Sequence, residues 1–147
     1  MVRNQMKIAM LGMGLLLGMC STALGYGKQK VVYHINGDNP QQNKGALNNI
    51  QNHINAVGAE NLDIRVVLHG NGLAVLMYPD EVEGTKMKRG NATEEMQTRI
   101  TVLKNQGVRF HVCANTLKGS NINLEEDLYD ATHDDVVPSG VAELSNL

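Results

Sequence analysis

Tryptophan is absent from this chain, and in 147 residues there are one phenylalanine and four tyrosines. So few rings exclude the aromatic platforms on which single-stranded nucleic acids stack their bases. A basic excess is missing too: 13 Lys and Arg stand against 15 Asp and Glu, a formal net charge of −2. That leaves no electrostatic footprint for a phosphate backbone, so nucleic acid is not an expected partner. There are two cysteines, Cys20 and Cys113, too far apart to form a CxxC motif. No second apolar run after the N-terminal one approaches membrane length.

The N-terminus reads as a targeting segment. Arg3 and Lys7 supply a positive start, Ile8 to Met19 an apolar run, and Ala23 and Gly25 the small residues of a cleavage site. Residues 1–25 are expected to be a signal peptide and the mature chain to begin near Tyr26. Two alternatives remain: a lipoprotein, with Leu17 three before Cys20 but an oversized Met19 between them, and an uncleaved anchor. Cleavage removes Arg3 and Lys7, leaving 11 basic residues against 15 acidic, a net charge of about −4. It also removes Cys20, so Cys113 becomes the thiol of an exported, periplasmic protein. Residues 26–147 are enough for one domain with a real core.

Hydrophobic periodicity supplies the elements. Val31 to Asn36 is a short β-rich run closed by the turn cluster Gly37-Asp38-Asn39-Pro40. Leu47, Ile50, Ile54 and Val57 recur at helical spacing up to Gly58. Leu62 to Leu68 is a second strand, and Leu73 to Met77 a short apolar run that can begin a helix. Tyr78 to Gly90 reads as an exposed loop with a small basic cluster, Lys86, Lys88 and Arg89. Ala92, Met96, Ile100 and Leu103 mark another helix, capped by Asn91 or Thr93 and stopped at Gly107. Val108 to Cys113 is the third strand. Asn123 with Glu126 predicts a capping box and a short helix, Val136-Val137 a short strand, and Ser139 the cap of a last helix to Leu147. This order predicts a single α/β domain with a mostly parallel sheet and helices on both faces.

In such a sheet ligands gather at the carboxyl ends of the strands, where Asn36, His69 and Cys113 fall. Alternation gives each strand one apolar face and one polar face. Val108, Phe110 and Val112 oppose Arg109, His111 and Cys113. Ile64, Val66 and Leu68 oppose Arg65, Val67 and His69. Val31, Tyr33 and Ile35 oppose Val32, His34 and Asn36. A strand covered on both sides is normally apolar throughout. The polar face is therefore solvated, buried in an oligomer, or part of a site.

Cys113 is either a small buried hydrophobe or a reactive thiol whose pKa is lowered by the N–H groups of Ala114 to Leu117 or by Lys118, His111 or His69. His69 is the candidate that orients or activates it. His34, His53 and His133 read as structural or solvent-facing. A zinc or copper site from His34, His69, His111 and Cys113 would need ligands converging from three strands. Gly70 and Gly72 lack the third glycine of a dinucleotide fingerprint, and no organic cofactor is implied.

These segments resemble the DsrE/DsrF-like family, which includes sulfur-relay subunits of the TusD type. The stretch Gln106 to Leu117 carries the resemblance best, with Val31 to Gly37, Val66 to Gly70 and Val136 to Leu144 similar to an exported branch. The resemblance implies a sulfur-accepting role for Cys113, a homotrimer or homohexamer, and a further strand beyond Leu147. It departs from the cytoplasmic relay members in lacking the arginines that follow the cysteine. The expectation is a periplasmic sulfur-handling protein in which Cys113 accepts sulfane sulfur as a persulfide. His69 and His111 would assist, and the partner would be a sulfur donor or acceptor protein or a small sulfur compound. The alternatives are a non-catalytic oligomeric binding module with a structural Cys113, and a His/Cys metal-binding protein.

Overall fold

The computed structural model describes residues 27–146. The expected signal peptide, Cys20 and Tyr26 lie outside the described residues. Four strands form one sheet in the order β1 (Gln29–Ile35), β2 (Leu62–Leu68), β3 (Arg109–Cys113) and β4 (Val136–Val137). Every pairing is parallel. Parallel neighbours require crossovers. These carry α1 (Pro40–Val57), α2 (Glu94–Asn105) and α3 (Ala114–Ser120), and α4 (Gly140–Glu143) follows β4.

Local sequence explains the main helices. Asn39 caps α1, its side-chain oxygen accepting the N–H groups of Gln41 and Gln42 at 3.0 Å, and Pro40 opens the first turn. The turn expected at Asn39-Pro40 is thus a helix start, because proline's missing N–H costs nothing there. Asn43, Leu47, Ile50 and Ile54 form the buried stripe of α1, and Gly58 ends it at φ 89°. Met96, Ile100 and Leu103 form that of α2.

The apolar members of both stripes join Ile64, Val66, Leu68, Phe110 and Val112 in one core cluster. Leu73 to Met77 is fully buried, running out of a 3-10 turn (Gly70–Val75) rather than an α-helix. Tyr78 to Gly90 is a loop, although Met87, 6 % exposed, anchors it in the core. Its basic residues diverge: Lys86 bonds the Gly119 carbonyl, and Arg89 pairs with Asp38.

Two helix expectations are corrected. Asn123 makes the expected cap bonds to the Glu125 and Glu126 amides, but no helix follows. Leu124 and Leu128 turn inward instead, and Leu128 bridges Met77. The last helix is one turn, its Ser139 cap accepting the Ala142 N–H at 3.4 Å. No helix among the described residues is long and apolar enough to cross a membrane.

Candidate functional site

The polar face of the sheet is laid out in rows by the parallel register. Val32, Arg65 and Arg109 stand level; His34, Val67 and His111 form the next row. Asn36, His69 and Cys113 follow at the carboxyl end, where the first residue of α3 succeeds Cys113 directly. Among the described residues α4 crosses this face, over β2 and β3, and Lys30 and His34 on β1 are exposed.

Cys113 is the free cysteine of the described residues and is 3 % exposed. Burial pushes its pKa up, as removal of any anion from water does. Hydrogen bonds from the Gly140 N–H, the Thr116 hydroxyl and the Thr116 and Asn115 N–H groups outweigh this, and the thiol ends below its ordinary value. Two of these amides belong to the stretch expected to supply donors. The hydroxyl of Thr116 and the amide of Gly140 were not foreseen. Thr116 is also tied to the turn after β2, accepting the Gly70 N–H at 2.8 Å.

Neither candidate histidine is among those donors. His69 Nδ1 lies 2.8 Å from His34 Nε2, with ring centroids 4.8 Å apart. The pairing follows from register: His34 is level with Val67, so His69 is its diagonal neighbour on the same face. Burial, and then the charge of His69, lower the pKa of His34. His111 Nδ1 lies 3.0 Å from Glu143 Oε1, which also accepts Arg65 Nη1 at 3.1 Å. Burial raises the pKa of Glu143, but bonds from Asn146, Arg65 and His111 and the His111 charge bring it below the ordinary carboxylate value.

His53 is structural, held between Tyr33 and Gln29 at 3.0 and 3.1 Å, and His133 is exposed beside Glu125. Of the four side chains weighed as metal ligands, His34 and His69 meet while His111 turns to Glu143. Among the described residues no three His, Cys, Asp or Glu side chains gather to hold a metal ion. The arrangement is instead that of a buried, acidified thiol under a short polar cover.

Comparison with known proteins agrees with this architecture. No curated protein matches the chain. A solved structure, the protein of unknown function MTH1491 from Methanobacterium thermoautotrophicum, is 28 % identical with a TM-score of 0.62, over 81 % of this chain and 90 % of its own. The DsrE/DsrF-like family model matches residues 30–147, which takes in the sheet, Cys113 and α4. The chain belongs to the DsrE/DsrF-like family.

Proposed function

We propose that this protein is a sulfur carrier in which Cys113 takes up sulfane sulfur as a persulfide and passes it to a partner thiol. Family membership points to sulfur-relay chemistry. The observation that carries the reading is the Cys113 thiol at the carboxyl end of β3, almost fully buried yet lowered in pKa by the N–H groups of Gly140, Thr116 and Asn115 and the Thr116 hydroxyl. A thiolate is the species that attacks sulfur, and donors fixed around it are set before reaction begins. In the loading step the Cys113 thiolate attacks the outer sulfur of a donor persulfide R–S–SH. One S–S bond forms as another breaks, giving Cys113–S–SH and the thiolate RS⁻. In the unloading step an acceptor thiolate attacks the outer sulfur of Cys113–S–SH and releases the Cys113 thiolate. Neither step needs an external oxidant or reductant.

His69 and His111 act indirectly in this proposal, His69 at the neighbouring strand end under Gly140 and His111 through Glu143. Export rests on the signal-like residues 1–25, and assembly as a homotrimer or homohexamer on the polar sheet face that α4 leaves partly open. N-terminal sequencing of the processed protein should begin near Tyr26, and full-length protein confined to the cytoplasm would contradict export. Light scattering at micromolar concentration should give a trimer or hexamer, and a stable monomer would contradict it.

The low exposure of Cys113 favours a second reading, a non-catalytic binding module with a structural cysteine. Intact mass after exposure to polysulfide or thiosulfate separates the two. The carrier gains one sulfur atom, and the gain disappears in Cys113→Ser. No gain in the native protein would leave the binding module.

A further inference from the structure

Cys113 ends an inner strand at the carboxyl end of the sheet, and it is 3 % exposed. Its cover is α4. Gly140 lies so close that a Cβ there would stand 2.8 Å from His69 Cβ, 3.3 Å from Cys113 Cβ and 3.4 Å from Val67 Cγ1. Three residues later Glu143 reaches back to the sheet, 3.1 Å from Arg65 Nη1 and 3.0 Å from His111 Nδ1. The same Arg65 atom donates to the Asn146 carbonyl at 3.1 Å. One turn of helix has no stability of its own, and Val141 is 62 % exposed. Arg65 Nε is buried without a partner, so the closed arrangement is not fully satisfied.

We propose that α4 is a latched cover over Cys113: Glu143, held by Arg65 and His111, keeps Gly140 seated on the sulfur, and release of that carboxylate admits the sulfur reagent. The proposal rests on the sulfur-carrier reading and says how its buried thiol is reached. The latch also couples access to activation. Gly140 supplies both the lid, packed against Cys113, and an N–H group that lowers the thiol's pKa. Opening therefore exposes the thiol and removes a donor from it, while Thr116 and Asn115 remain. Reclosure returns the sulfur to a covered site with its full set of donors.

The coupling gives Glu143→Ala two effects on native alkylation of Cys113 by iodoacetamide. The plateau rate at high pH rises about tenfold, equivalent to about 1.4 kcal/mol of latch. The midpoint of the rate–pH curve moves upward. An unchanged plateau in a variant with native circular dichroism overturns the proposal. So does a faster plateau with an unmoved midpoint.

Hydrogen–deuterium exchange of the unaltered protein gives a reading independent of folding defects. The Glu143 and Leu144 amides should open far more often than those of Phe110 and Val112 in β3. Equal protection in both places overturns the latch. Altered alkylation in Glu143→Ala without any sulfur uptake would leave the cover standing and remove the carrier function.

Discussion

The hydroxyl oxygen of Thr116 accepts the backbone N–H of Gly70 at 2.8 Å. The same hydroxyl lowers the pKa of the Cys113 thiol, since its proton is free to turn toward the sulfur. Thr116 thus ties the end of β2 to the first turn of α3 and sets the state of the thiol between them.

Thr116→Val keeps the shape and removes the hydroxyl. The Cys113 pKa should rise, read as thiolate absorbance against pH, and Thr116→Ser should restore it. Valine also strands the Gly70 N–H, at a cost of about 1–3 kcal/mol in denaturant unfolding. The lowered thiol has a consequence for stability. Its contribution is complete above the unfolded value of about 8.5 and is lost as pH falls from there through the folded value. Thr116→Val should flatten that slope.

Gly140→Ala should displace α4, because the new methyl meets His69 and Cys113 at 2.8 and 3.3 Å. Overpacking of this kind costs about 1–3 kcal/mol, measured as a lower melting temperature. Alkylation of Cys113 should accelerate at the same time. A variant as stable and as slow to react as the parent would mean that α4 does not seat on the sulfur.

His34 and His69 stand 2.8 Å apart, and the pKa of His34 is lowered by burial and by the charge of its neighbour. The folded state resists a proton on His34. The stability His34 contributes is complete above about 6.5 and is lost as pH falls through its folded value. Urea unfolding between pH 5 and 8 should show this slope, and His34→Gln should reduce it. A slope that survives the substitution would assign it elsewhere.

Much of the fold was legible because it is locally encoded. Leu62 to Leu68 alternates as a strand half-covered by helices must, and it is β2 without adjustment. Gly58 and Gly107 stop their helices where the chain turns to positive φ, at 89° and 91°. Asn39-Pro40 closes the turn and opens α1 at once, because proline suits both turns and first helical turns, and only the following stripe from Asn43 to Ile54 shows how early the helix begins. At Asn123 the local signal fails. Its cap bonds form, but burial of Leu124 and Leu128 decides the path of the chain.

The site was legible along strands and not across them. Alternation placed His69, His111 and Cys113 on one face, and the register pairs Leu68 with Val112, the residues just before His69 and Cys113. Thr116 carried a local signal, a hydroxyl three residues beyond a strand-ending cysteine at the start of a helix. Gly140 and Glu143 carried none. Their meetings with Cys113 and His111 span 27 and 32 residues of chain and depend on how α4 folds back over the sheet.

The account's central claim is that Cys113 is a working thiol and not a buried structural one. Its most direct test is alkylation of the native protein with iodoacetamide across pH, with the modified residue identified by peptide mass. The account predicts that Cys113 is modified without denaturant, with a midpoint below the ordinary thiol value of about 8.5. Modification only after denaturation would contradict it.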